Sequence, residues 1–222
     1  MKAMILAAGR GERMRPLTDH TPKPLLKAAG KTLIAYNIEN LAAAGYTEIV
    51  INIAHLGEQI KAYCGDGARW QVSIAYSDEG ETALETAGGI AKALPLLGAE
   101  PFLVINADIV CDFPLASLHD RQIDMAHLVM IKNPPHHPAG DFCLNANGLL
   151  SAQGDNPLTF SGIGVYHPEL FKDIPVAPLK LRPVLNRAIQ QQQIRGEEYN
   201  GLWMDIGTPA RLETLTDLIN SR

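Results

Sequence analysis

A chain of 222 residues, 46% hydrophobic and 19% charged, can bury a full core, and it reads as one domain over residues 1-222. The formal net charge of -5 argues against nucleic acid or an anionic membrane as partner, so any anionic ligand must be met by a small local cluster of cations. Cys64, Cys111 and Cys143 are odd in number and lack a C-x-x-C spacing, which argues against a disulfide framework and a zinc knuckle.

The opening stretch MKAMILAAG is too short for a signal segment, and no apolar run approaches the roughly 20 residues of a spanning helix, so the expected location is cytoplasmic. Apolar β-rich runs then alternate with helical patterns. A strand is predicted over Ala3–Ala7, a helix over Leu33–Ala44, a strand over Ile49–Ile53 and a helix over Leu56–Cys64. The first helix places Ile34, Ile38 and Leu41 on one face and stops at Gly45, a residue suited to the left-handed position past a helix end. Thr86-Ala87-Gly88-Gly89 opens another helix, and its small residues would let a flat base lie against backbone. A strand over Phe102–Ile105 runs into Asn106-Ala107-Asp108, which puts Asp108 at a strand's carboxyl end. Ligand crevices of open parallel sheets lie outside those ends, so the loop after Ala7 and the loop holding Asp108 point to one place.

Beyond Met125 the strands predicted over Ala126–Ile131, Phe142–Leu144 and Phe160–Tyr166 are separated by Pro, Gly and Asn, a pattern for a mixed sheet with a lid-like region. A last helix over Pro209–Ile219 has Thr208 as its cap and Pro209 in its first turn. The fold class expected is therefore α/β, with a mostly parallel mixed sheet flanked by helices. No coiled-coil or other assembly pattern stands out.

The most informative segment is Leu6-Ala7-Ala8-Gly9-Arg10-Gly11-Glu12-Arg13-Met14-Arg15, a strand running into a cation-rich glycine turn. Small residues at Ala8, Gly9 and Gly11 let backbone N–H groups approach an anion, as phosphate-cradling loops require. Lys23 follows between Pro22 and Pro24, whose restricted backbone would hold one ammonium in place. A dinucleotide fingerprint fails because Met14 stands where the third glycine belongs and Ala54-His55 follow Ile53 where an acidic residue would grip a ribose. A Walker loop fails for want of Gly-Lys-Ser/Thr.

AAGRGERMRPLT followed by PKPL resembles the signature of the sugar-phosphate nucleotidyltransferase family. The resemblance implies a single Rossmann-like α/β domain, with a nucleotide-binding part over about residues 1-110 and a sugar-binding part over about 111-222. It implies that Ala8, Gly9, Gly11, Glu12 and Arg13 hold a nucleoside triphosphate, that Gly88 lines the base pocket, and that Arg13 and Lys23 act on phosphates. Transfer between two anionic reactants calls for a divalent cation, and the resemblance assigns magnesium to Asp108 and Asp205, each of which follows apolar residues. No Ser-His-Asp or Cys-His nucleophile is required, because the sugar phosphate itself attacks. His136-His137 read as loop histidines near the sugar, since adjacent side chains diverge and no matching ligand spacing accompanies them.

Four further segments refine the resemblance: Glu85-Thr86-Ala87-Gly88-Gly89, Pro135-His136-His137-Pro138-Ala139-Gly140-Asp141-Phe142, Leu158-Thr159-Phe160-Ser161-Gly162 and Lys180-Leu181-Arg182-Pro183. Together they are similar to the branch that transfers uridylyl groups to N-acetylmuramate 1-phosphate in cell-wall recycling. That similarity implies UTP and a sugar 1-phosphate as substrates, with sugar or ribose contacts from Asn106, Asp141, Ser161, Gly162 and Lys180. Two alternatives stay open at this point: a mannose- or heptose-1-phosphate guanylyltransferase, and a non-catalytic nucleotide-sugar sensor or regulatory subunit.

Overall fold

The computed structural model describes residues 1–221. Its first strand, β1 (Lys2–Leu6), buries Ala3, Met4 and Ile5 completely. A run this continuous belongs to a strand covered on both faces, where alternation has no purpose. The chain then makes the glycine loop, a 3-10 turn at Glu12–Met14 and a small ribbon of β2 (Lys27–Ala28) and β3 (Lys31–Thr32). The ribbon delivers α1 (Leu33–Ala43), whose first turn is capped by Thr32 Oγ1 accepting from Ala35 N at 3.3 Å. Gly45 takes the left-handed conformation beyond its end, at φ 86°.

Alternating elements follow: β4 (Glu48–Ile53), α2 (Gly57–Cys64), β5 (Ser73–Asp78), α3 (Glu85–Leu97) and β6 (Phe102–Asn106). β1 pairs in parallel with β4 on one side and β6 on the other, and β5 extends the parallel ladder beyond β4. After β7 (Ile109–Cys111) come β8 (Ala126–Ile131), β9 (Phe142–Leu144), β10 (Leu150–Ser151) and β11 (Pro157–Tyr166), then α4 (Leu181–Gln190) and β12 (Ile194–Tyr199). β13 (Trp203–Asp205) and α5 (Pro209–Asn220) complete the described elements. The nine-stranded main sheet runs in the order β10-β9-β11-β6-β1-β4-β5, with β8 joining β11 to β12. Its first half is wholly parallel, and the antiparallel β11 makes its second half mixed.

Neighbouring residues of β1 serve opposite faces, as strand geometry demands. Ile5 joins Ile34, Ile38 and Ile51 under α1, while Met4 joins Val50, Ile90 and Val104 under α3. A third apolar cluster holds Met14 of the glycine loop against Leu33, Ile206 and Leu215. The residue standing in place of a third glycine is thus a buried anchor.

Several boundaries shift for local reasons. The strand expected over Ala3–Ala7 ends at Leu6 because Ala7 N donates to Asn52 Oδ1, 2.7 Å away, instead of continuing the ladder. The helix expected from Leu56 starts at Gly57, since Leu56 has φ 57° and precedes the helical turn. The lid-like region is a small antiparallel wall of β9, β10 and the first part of β11, continuous with the main sheet. Among the described residues no helix is long and apolar enough to cross a membrane.

On the outer half of the sheet, His127 of β8 is buried with Nε2 2.9 Å from Glu197 Oε1 of β12, and Arg121 donates to the same oxygen at 2.6 Å. Burial pushes the His127 imidazole below the ordinary histidine value, against the opposing pull of Glu197. The unfolded chain therefore takes up this proton at higher pH than the fold does. His127's contribution to stability is complete above the ordinary value of 6.5 and is lost as pH falls through it towards the folded value. The urea midpoint should decline below about pH 6.5, and His127→Gln should flatten that decline when midpoints are measured across the pH range.

Candidate active site

The carboxyl ends of β1 and β6 open into one cavity of about 720 Å³, whose lining includes Ala8, Gly9, Gly11, Glu12, Arg13, Lys23, Asn106 and Asp108. Loop geometry explains why Gly11 is glycine. It has φ 66°, and an added Cβ would stand 3.0 Å from both Lys23 Cβ and Thr18 Cγ2. Thr18 Oγ1 donates to Gly11 O at 2.8 Å and Met14 N donates to the same oxygen at 2.8 Å. The loop is therefore closed on itself, with Met14 buried beneath it and Arg13 on the cavity side.

A buried polar chain supports this loop from below. Asn52 Oδ1 accepts from Ala7 N, and Asn52 Nδ2 donates to Glu79 Oε1 at 2.7 Å. Glu79 Oε2 accepts from Leu84 N at 2.6 Å, at the start of α3. An added Cβ on Gly89 would lie 2.4 Å from Glu79 Oε1, so the α3 backbone comes close only because that residue is glycine. The chain ties the ends of β1, β4 and β5 to α3, and both polar side chains line the cavity. Sequence reading missed this pair. Its one signal was Asn52, a polar residue inside the apolar run Ile49–Ile53.

β7 and β13 pair antiparallel with Asp205 opposite Ile109, and Ile206 N donates to Asp108 O at 2.8 Å. Two carboxylates far apart in sequence thereby reach one edge of the site. Asp108 forms an ion pair with Lys23. Arg211 Nη1 donates to both Asp205 oxygens at 2.5 Å, and His136 Nε2 stands 3.0 Å from Oδ1. At Gly207, an added Cβ would lie 2.6 Å from Arg211 Nη2 and 3.3 Å from Arg13 Nη2, so two guanidiniums converge there. Arg211 was not anticipated from the sequence. Among the described residues no group of three or more His, Cys, Asp or Glu is placed to hold a metal ion. Asp108 and Asp205 are hard oxygen donors of the type a divalent cation takes, each paired here with a cationic side chain.

On the sugar side the expected residues divide. Asn106 lines the cavity, and Gly162 packs against it so closely that an added Cβ would lie 2.6 Å from Asn106 Nδ2. Ser161 is buried and engaged: its Oγ accepts from Ile163 N at 3.2 Å and its O accepts from Trp203 Nε1 at 2.8 Å. Asp141 lies outside the cavity lining and is held by Arg182 and Phe160 N, and Lys180 is exposed just before α4. Gly88 sits in the first turn of α3. Its N–H faces Leu179 O at 3.3 Å, and an added Cβ would lie 2.0 Å from Ala177 O, so it serves close packing against the 175–179 segment. From that turn, Glu85 and Thr86 line the cavity.

Residues 2–148 match the model of the family described as Nucleotidyl transferase. The chain belongs to the nucleotidyl transferase family. This nucleotidyl transferase is 53% identical to the N-acetylmuramate alpha-1-phosphate uridylyltransferase of Neisseria meningitidis serogroup B, with 96% of each chain covered. It is 33% identical to the mannose-1-phosphate guanylyltransferase catalytic subunit beta of Drosophila melanogaster, covering 94% of this chain but 60% of that one. Its fold matches that of a Bacillus anthracis protein described as a glucose-1-phosphate thymidylyltransferase in complex with sucrose, with a TM-score of 0.87 at 20% identity, covering 100% of this chain and 96% of that one.

In this nucleotidyl transferase, Asn52→Leu would leave Ala7 N and Glu79 Oε1 buried without their partner. The expected cost is about 1–3 kcal/mol in urea unfolding, together with a raised KM for the nucleoside triphosphate because the loop loses its support.

Proposed function

We propose that the chain transfers the uridylyl group of UTP to N-acetylmuramate 1-phosphate, releasing pyrophosphate and forming UDP-N-acetylmuramate for cell-wall recycling in the cytoplasm. The observation that carries the reading is the 53% identity to the Neisseria uridylyltransferase over 96% of both chains. The guanylyltransferase reading has weaker support, since its relative is more distant and this chain spans 60% of it. A sensor that had lost catalysis would be expected to lack one charged site residue. Arg13, Lys23 and Asp108 instead line the cavity, and Asp205 lies beside them on the strand paired with β7.

In the proposed reaction, a phosphate oxygen of the sugar 1-phosphate attacks the α-phosphorus of UTP in line with the departing pyrophosphate. One P–O bond forms as the other breaks, so the protein's task is alignment and charge neutralisation. Backbone N–H groups of Ala8, Gly9 and Gly11, with Glu12 nearby, hold the triphosphate in the loop. Arg13 and Lys23 offset its charge, with Arg211 close enough to Arg13 to share it. Asp108 and Asp205 would hold magnesium, which when bound supplies further charge neutralisation and orients the α-phosphate. Asn106, with the Ser161-Gly162 backbone behind it, forms the sugar or ribose wall. Residues 1-110 thus serve mainly the nucleotide and residues 111-222 mainly the sugar.

Pyrophosphate release measured with UTP, GTP, dTTP and CTP against N-acetylmuramate-, N-acetylglucosamine-, glucose- and mannose-1-phosphate tests the assignment. Turnover should be greatest with UTP and N-acetylmuramate 1-phosphate, and turnover confined to GTP with mannose 1-phosphate would sink it. Chelation should abolish activity and added magnesium restore it. Asp108→Asn and Asp205→Asn should each lower kcat by about 10²–10³-fold, the scale of losing one electrostatic partner of the transition state; wild-type rates in both variants would overturn the metal assignment.

A further inference from the structure

We propose that Arg182 recognises the carboxylate of the lactyl ether that distinguishes N-acetylmuramate 1-phosphate from N-acetylglucosamine 1-phosphate, an inference that rests on the proposed function above. The argument begins with the wall that rises past the sheet's carboxyl edge. β11 pairs with β6 at Ile163, opposite Ile105, but its earlier residues continue beyond the edge, where Leu158 lies opposite Phe142 of β9. Asp141, just before β9, is locked to that extension: its N donates to Leu158 O at 2.7 Å and its Oδ2 accepts from Phe160 N at 2.9 Å. Two residues beyond Phe160, Gly162 abuts Asn106 in the cavity lining. Asp141 therefore stands two residues along β11 from the point where Gly162 meets Asn106, on the wall beyond the cavity lining.

The opposite wall brings Arg182 to the same place. Leu179 N donates to Leu84 O at 3.0 Å, and Ala87 N donates to Leu179 O at 2.9 Å, so the segment entering α4 is tied to the start of α3 beside cavity-lining Glu85. Arg182 then spans the gap. Its Nη1 donates to Asp141 Oδ1 at 2.8 Å, its Nη2 donates to Asp141 O at 3.0 Å, and its guanidinium stands 5.2 Å from the centre of the Phe142 ring. These contacts fix the plane of the guanidinium while using two of its five N–H donors. The side chain remains 52% exposed.

Asp141 is already engaged within the wall. Its Oδ1 faces both Arg182 and His137 Nε2, the latter at 3.3 Å, so its charge is satisfied within the wall. What the wall presents outward is the set of unused N–H donors of a pinned guanidinium. The substrate carries two anions. Arg13, Lys23 and Arg211 gather around the catalytic carboxylates, where the anomeric phosphate must react. The lactyl carboxylate hangs from C3 of the sugar, away from the anomeric carbon, and needs a separate receptor. A planar fork with donors to spare matches a carboxylate in geometry as well as charge, and its anchoring by Asp141 removes part of the ordering cost of binding.

Steady-state kinetics at saturating UTP, with N-acetylmuramate 1-phosphate and N-acetylglucosamine 1-phosphate as varied substrates, test the inference. Arg182→Gln should raise KM for the muramate substrate by about ten- to a hundredfold, the scale of a lost charge-assisted bond, while the glucosamine substrate responds far less. Arg182→Lys should recover part of the discrimination. An unchanged KM for UTP and an unchanged melting temperature report an intact fold; should Arg182→Gln melt early, Arg182→Lys decides by the same ratio. An equal change for both sugars, or an unaltered ratio between them, overturns the role of Arg182 alone. Failure of the wild-type enzyme to use N-acetylmuramate 1-phosphate overturns the function on which the inference stands.

Discussion

The hydrogen bond from Ala7 N to Asn52 Oδ1 marks the point at which structure gives way to chemistry. One residue earlier, β1 is an ordinary buried strand between β4 and β6, its backbone satisfied by parallel ladders. At Ala7 the ladder stops, and a buried N–H left without a partner would be costly. Asn52 supplies that partner, Glu79 orients Asn52, and Leu84 N occupies the other oxygen of Glu79. Because each group is satisfied by the next, the loop leaves the sheet in one direction. A network of this kind is valuable only when complete, since low dielectric strengthens every bond and penalises every gap.

The first half of the molecule was legible because its signals are physical redundancies. Ile34, Ile38 and Leu41 share a helix face, and that face lies in the core. Phe102 to Ile105 form a continuous apolar strand between β1 and β11. Less was readable where burial is partial. β5 alternates buried Ile74 with exposed neighbours at the end of the sheet, and β12 alternates buried Ile194 and Gly196 with exposed Arg195 and Glu198. α4 was readable in principle, for Val184, Leu185, Ala188 and Ile189 recur at helical spacing, yet Pro183 in its first turn obscured the start.

The site divides in the same way. Gly11, Arg13, Lys23 and Asp108 announced themselves because a cation-rich glycine loop and a strand-end carboxylate have local signatures, and all four line the cavity. Asn52, Glu79, Arg182 and Arg211 did not, since each acquires its meaning from a partner between 6 and 45 residues away in the chain. Gly88 shows how one signal can serve two readings. Its small size in a helix start suggested a platform for a base, but the same smallness is needed for contact with Ala177 O. A glycine reports close approach, and only the tertiary structure says what approaches.

Met14 adds a constraint of another kind. It sits in one apolar cluster with Ile206, next to Asp205, and with Leu215 of the last helix. The floor of the anion loop and the strand end bearing the second carboxylate therefore rest on a shared hydrophobic bearing, although nearly the whole chain separates them. Loosening α5 would slacken both at once. Exposed loop side chains can change without touching this cluster, but a change in its volume would move the glycine loop and the strand end bearing Asp205 relative to each other.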